Sequence, residues 1–328
     1  MTNRVQPTTD HLVHRLSGRP IVAAGSVPGY GPIFNAGVLR FDGRYHLFAR
    51  AVQDGYKPGD DGGPRFTNYV SDIIVFTSMN GLDYEFGYVL MRGGAVSFED
   101  PRVQWVQHPD GARLVITYTH VPPEGPWRIG AHRLLWDGAR FQVDIPSGTL
   151  LGPDNVENKD AVLFTLNDGR VALIHRIHPD MQIAIFDDLE HLWSANDSYW
   201  NDYISDISSH TLLTPSLGAV GVGAGAPPVH TESGFLLFFH ERWADGTYTM
   251  NVALLDGFTG EVLSRIPAAI LSPEMDWECR GDVNKVVFVQ GADREGDDIY
   301  LTYGAADRCV GAAVASVPRL LEALLRTI

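Results

Sequence analysis

Thiols are scarce in this chain. Cys279 and Cys309 are its two cysteines, too few for a disulfide framework or a thiolate-rich metal site. One bridge between them and a pair of reduced, partly buried thiols both fit the count, and the second is the expectation. The opening segment MTNRVQPTTDHLVHRLSGRP lacks the apolar core of a signal peptide. No run reaches the ~20 apolar residues that cross a bilayer. A cytoplasmic location is therefore expected. HxxxH and HxH spacings are missing, so no metal is expected, and no motif implies another cofactor. Positive charge is short as well: 25 Lys and Arg stand against 40 Asp and Glu, a formal charge of −15. Such a surface repels nucleic-acid phosphates and anionic lipid, so neither nucleic acid nor membrane is an expected partner. A small anion is not excluded, because a few cations dominate the field inside one pocket.

Helical patterning is rare too, with one convincing instance, PRLLEALLR at 318–326. Glycine (34), proline (20) and 10% aromatic residues instead suit a turn-rich β protein. A glycine turn followed by an apolar run recurs five times: FDGRYHLFARA (41–51), PDGARLVITYTHV (109–121), NDGRVALIHRI (167–177), ESGFLLFFHER (232–242) and EGDDIYLTYGA (295–305). The anchoring glycines, Gly43, Gly111, Gly169, Gly234 and Gly296, recur every ~60 residues. Each copy precedes a second strand-like run, several ending in turn signals such as Asn80-Gly81 and Asp256-Gly257. This pattern predicts an all-β fold, a five-bladed β-propeller with a short C-terminal helix. Residues 1–328 form one propeller domain in this reading, with an N-terminal extension at about 1–20 and the helix at about 317–328.

The repeat also points to a site. Seven residues beyond each glycine stand Arg50, Tyr118, Arg176, Glu241 and Tyr303. Equivalent positions in a propeller surround one axis, so five polar groups there suggest a pocket for a polyol or an oxyanion. Solvated strand ends are the plainer explanation for any single copy.

The strongest local motif is Phe98-Glu99-Asp100-Pro101-Arg102, placed just before the inner strand of the second repeat. Proline holds the adjacent carboxylates rigidly, as glycoside cleavage requires of its general acid. Alone, it is more often a loop with an internal ion pair. Asn158-Lys159-Asp160, His175-Arg176 and His240-Glu241-Arg242 lie near other inner-strand ends. Arginine beside histidine suits a phosphate or carboxylate, and a surface ion pair is the competing reading for each cluster. The segment at 221–228, GVGAGAPP, lacks the Gly-Lys-Ser/Thr ending of a phosphate loop. It reads as backbone passing close to a pocket.

These motifs, in their order, resemble glycoside hydrolase family 130. The segments that carry the resemblance are FNAGVLRFDGRYHLFARA, FEDPRV with ITYTHV, ENKDAVLF with ALIHRI, VGAGAPPVHTESGFLLFFH, YTMNVALLD and WECRGDVNKVVF, spanning about Phe34 to Phe288. The resemblance implies a five-bladed propeller and, for most members, inverting phosphorolysis of β-mannosides to α-mannose 1-phosphate. It implies that Asp100 is the general acid, its proton relayed through the mannosyl 3-hydroxyl. Arg176, His240 and Tyr248 match phosphate ligands, and Lys159, Asn158, Asn35 and Arg50 match sugar- or phosphate-pocket residues. Glu99, Arg102, Tyr118, Asp160, His175 and Tyr303 complete the candidate substrate-binding set. Three positions depart from the family pattern. Gly221 stands where a lysine is common, a loss of ~1.5–3 kcal/mol if its bond to phosphate is charge-assisted. Glu241 replaces a glycine, and Lys285 replaces an asparagine.

Three functions are therefore weighed. The first is an inverting phosphorylase using inorganic phosphate on mannose-containing oligosaccharides, a glycosyltransferase-class activity. The second is an inverting β-mannosidase, a glycosidase with Asp100 as acid and Glu241 as base. The third is a sugar-binding propeller without turnover. The aromatic-bearing stretch 193–215 reads as a pocket rim or a homo-oligomer contact, and the 55–67 segment as a loop near the acceptor side.

Overall fold

The computed structural model describes residues 12–58 and 66–326. Residues 1–11 of the expected extension, 59–65 of the expected loop and 327–328 of the expected helix lie outside them. Hairpin-connected strands with alternating side chains build five antiparallel sheets in sequence. The result is a five-bladed β-propeller. Running outward, the first blade is Tyr30–Phe41, Arg44–Gln53, Ser71–Ser78 and Glu85–Met91. The second is Ser97–Val106, Arg113–Val121, Arg128–Trp136 and Phe141–Val143. The third is Lys159–Thr165, Val171–Ile177, Asp180–Phe186 and Thr211–Leu213. The fourth is Ala219–Ala224, Gly234–Trp243, Tyr248–Leu255 and Val262–Arg265. The fifth is Val287–Glu295, Asp298–Ala305 and Cys309–Ser316. Its outer strand is Val13–Arg15, from the other end of the chain. Part of the expected extension is thus an integral blade strand.

Both faces of each blade are apolar, because each packs on a neighbour. Phe48 and Ile116 meet between the first two blades, and Leu163 and Val115 between the next pair. Leu237 meets Ile174, and Leu236 meets Leu301, further round the ring. The helix Val317–Leu325 buries Val317, Leu320 and Leu324 on the same core as the last two blades. Further helices, Leu189–Ser194 and Asp197–Ser205, were not expected. Asp188 and Asn196 cap their N-termini through side-chain oxygens. Trp200 and Tyr203 are buried on the cluster between the second and third blades, so these aromatics serve the core and not a rim. Both cysteines are free thiols. Among the described residues, no helix is long and apolar enough to cross a membrane.

The inner strands of the first three blades share an irregularity. Each bulges, between Phe34 and Gly37, Glu99 and Arg102, and Lys159 and Val162, and the first is irregular between Tyr30 and Ile33 as well. Within the bulges Asn35, Asp100 and Asp160 adopt φ of 45°, 51° and 56°. A positive φ in a non-glycine residue costs about 1–3 kcal/mol and tends to mark a functional position. The bulge re-aims each side chain. The Glu-Asp-Pro-Arg motif is therefore inside the innermost strand, not ahead of it.

Candidate active site

The three bulged side chains converge on a cavity of about 760 Å³ at one end of the propeller axis. On one wall, Asn35 Nδ2 donates to Asp100 Oδ1 at 2.8 Å, and Arg50 Nη1 donates to the same oxygen at 3.2 Å. Arg50 Nη2 donates to Glu99 Oε1 at 2.6 Å and to the Tyr69 hydroxyl at 2.9 Å. Both bonds to Asp100 fall on Oδ1, so its position is fixed without occupying Oδ2. Burial raises the Glu99 carboxyl above its ordinary pKa, with Arg50 opposing the shift.

The facing wall is cationic. Arg176 Nε donates to Asp160 Oδ2 at 2.6 Å, and His240 Nε2 lies 3.6 Å from that oxygen. Burial alone would raise Asp160, but the charges of Arg176, Arg102 and Lys159 outweigh it and hold the carboxyl well below the usual range. Burial pushes the His240 imidazole down to about 3, so it is neutral at pH 7. Lys159 is lowered by burial and by Arg176, and its ammonium sits 4.1 Å from the Trp127 ring. Tyr248 lines the same wall, its phenol raised by burial. Gly223 makes this approach possible. A Cβ there would stand 2.4 Å from Asp160 Oδ2 and 2.7 Å from the His240 ring.

Nine of the sequence-predicted residues thus line one cavity: Asn35, Arg50, Glu99, Asp100, Lys159, Asp160, Arg176, His240 and Tyr248. Six do not. Arg102 lies beneath the floor, donating to Asp160 Oδ1 and to the carbonyls of Asp100, Ala224 and Gly225. Asn158 and His175 are bonded to each other at 3.0 Å behind the wall, and His175 also bonds the Tyr203 hydroxyl. Tyr118 turns to His132, and Tyr303 donates to Glu278. Glu241 accepts from Ser216 N and Asn251 Nδ2, away from the cavity.

The count of seven from each glycine fails for a physical reason. Gly43 and Gly296 lie in two-residue loops, at their second and first positions, whereas Gly234 already pairs within its strand. The register from the glycine therefore differs between repeats, and one residue of slip turns a side chain to the opposite face. Arg50 and Arg176 each stand opposite the residue that precedes a bulge, Phe34 and Lys159. In the second blade that place belongs to Thr119, eight residues beyond Gly111. Thr117 and Thr302, one residue short of the counted positions, donate to carbonyls of the neighbouring inner strand, at Ala161 and Ala36.

Further lining residues were not singled out from sequence, among them Tyr69, Trp127, His178 and Asp307, while Phe66 belongs to the expected acceptor-side loop and Arg242 to the His240-Glu241-Arg242 cluster. Strand alternation was the available signal for Arg242, which shares a face with His240 where Glu241 cannot. Lys285 does not reach the cavity; its ammonium is 3.3 Å from Asp245.

The family model described as beta-1,4-mannooligosaccharide phosphorylase matches residues 2–326. The chain is 31% identical over 315 residues to a beta-1,2-mannobiose phosphorylase of Thermoanaerobacter sp. (strain X514), covering 92% of this chain and 96% of that protein. It is 27% identical over 320 residues to a 1,2-beta-oligomannan phosphorylase of the same organism, with the same coverage. The solved structure of beta-1,2-mannobiose phosphorylase from Listeria innocua, in complex with beta-1,2-mannobiose, matches with a TM-score of 0.73 at 22% identity. That match covers 96% of this chain and 99% of the other.

Proposed function

The chain belongs to glycoside hydrolase family 130, and from that premise we propose that it is an inverting phosphorylase of short β-mannosides that yields α-mannose 1-phosphate. The observation that carries the reading is the division of one cavity into an acid wall, built on Asp100, and a cationic wall, built on Arg176, Lys159 and the neutral His240. Asp100 supplies the proton that the departing sugar oxygen needs as the glycosidic bond breaks, relayed through the mannosyl 3-hydroxyl. A phosphate oxygen forms the new bond from the opposite face of the anomeric carbon, which inverts its configuration. Phosphate is already anionic, so no second carboxylate is required to activate it. Arg176 gives only Nε to Asp160, which leaves its terminal nitrogens for phosphate. A neutral His240 donates a hydrogen bond, as does the Tyr248 phenol. Between two bulges, Asn35 and Arg50 hold Asp100 toward the sugar.

The hydrolase reading that used Glu241 as base loses its base, because that carboxylate faces Ser216 and Asn251. The test is product analysis on β-1,2- and β-1,4-mannobiose, with and without inorganic phosphate. Phosphate-dependent mannose 1-phosphate is expected. Free mannose formed at a rate indifferent to phosphate would falsify the reading. Asp100→Asn should cut kcat by roughly 10²–10⁴-fold, the usual contribution of a positioned acid. Near-wild-type turnover in that variant would remove Asp100 from the role.

A further inference from the structure

The wall that carries Arg176 and His240 continues outward along the fourth blade to a cation with no part in the mechanism above. Arg242 lies two residues beyond His240 in the strand Gly234–Trp243, so both side chains stand on one face. The register places it opposite Gly221 on one side and Tyr248 on the other. Its guanidinium lies 5.9 Å from the centroid of the Tyr248 ring and lines the same cavity. Arg50, Arg102 and Arg176 are each committed to a carboxylate. Among the described residues, Arg242 makes no hydrogen bond or ion pair. Across the sheet, Gly221 contributes no side chain, and a Cβ there would already meet the His178 ring at 3.3 Å. The His178 ring takes the place a side chain at 221 would fill, and the exposed guanidinium lines the cavity beside it.

We propose that Arg242 binds the phosphate co-substrate, drawing it into the cavity and holding it beside Tyr248 and His240. The proposal rests on the phosphorylase reading and deepens it. Two physical points carry it. A protein of formal charge −15 repels phosphate at a distance, so capture needs a local cation facing the entrance. Deeper in, the charge of Arg176 is already shared with Asp160, whereas the guanidinium of Arg242 keeps its full set of donors.

The test uses the full-length enzyme with Arg242→Gln and Arg242→Lys, varying phosphate and mannobiose separately. In Arg242→Gln, KM for phosphate should rise roughly 10- to 100-fold, the loss expected of one charge-assisted contact. KM for mannobiose should move far less, and Arg242→Lys should fall between wild type and Gln. An unchanged KM for phosphate overturns the proposal, as does a rise confined to KM for mannobiose, which would make Arg242 a sugar contact. Matching melting temperatures show that the variants fold. If the wild type releases only free mannose, the phosphorylase reading itself has failed. Calorimetric titration of inorganic phosphate into wild type and Arg242→Gln then still decides the residue's role: weaker binding in the variant supports it, and equal binding overturns it.

Discussion

His175 and His240 are both buried, and burial pushes each imidazole down to about 3. In the unfolded chain they titrate near ~6.5. Between those values the unfolded state binds protons that the native state refuses, so stability falls as pH falls from about 6.5. Each group contributes a slope approaching ~1.4 kcal/mol per pH unit. Glu99, whose carboxyl is raised, acts in the opposite sense. Urea denaturation should therefore show a loss of about 2–3 kcal/mol between pH 7.5 and 5.5. A midpoint unchanged over that interval would mean that these histidines are not held neutral. The same neutrality serves the proposed chemistry, since a neutral His240 donates one hydrogen bond without adding charge to the Asp160 cluster. Asp100 could be singled out from sequence through its proline-fixed neighbours. The orientation of Glu241 could not, because adjacent residues of a strand differ only in the face they present.

At the scale of the element, the bulge is the device that makes the site. A regular inner strand would alternate its side chains between the two blade interfaces; the extra residue instead aims Asn35, Asp100 and Asp160 at the axis. Gly304 guards the first of these. A Cβ at that position would stand 1.7 Å from Asn35 Oδ1 and 2.9 Å from Asn35 N. Gly304→Ala should therefore displace Asn35, release one of the two bonds on Asp100, and lower kcat/KM by about 100-fold, the loss that a misplacement of ~1 Å can cause. Activity assays beside thermal melts check this, and full activity in a folded variant would show that the Asn35–Asp100 contact is dispensable. The helices at 189–205 are a second such device. They were not legible from periodicity, being short, yet through Tyr203 they brace His175 and hence Asn158, beside the strand that carries Lys159 and Asp160.

For the whole molecule, the decisive step is ring closure. Val13–Arg15 pairs with Cys309–Ser316, joining the two ends of the chain in one blade. Arg15 secures the joint: its Nε and Nη2 donate to the two oxygens of Glu278 at 2.8 and 2.9 Å, and Nη2 also reaches the Ser272 carbonyl. The Glu278 side chain is fully buried and also accepts from Tyr303. Arg15→Ala strands that carboxylate, although Tyr303 and the amides of Glu274 and Met275 still serve it. A destabilisation of about 3 kcal/mol is expected, at the low end for breaking a buried pair. Equilibrium unfolding measures it, and a loss below ~0.5 kcal/mol would place the pair with surface salt bridges.

By itself, the sequence determined the blade number, the family, and the local motifs at Asp100, Asp160, Arg176 and His240. Glycine turns and apolar runs are local signals, repeated once per blade, and five of them accumulate into an architecture. Tertiary structure alone decided which polar side chains share the cavity. That choice depends on loop register and on three bulges, each a shift of one residue that composition does not record. It put Arg242 on the cavity wall and turned Glu241 away. It also buried Arg102, Asn158 and His175 as supports, because the inner strands of neighbouring blades meet only when the ring is closed.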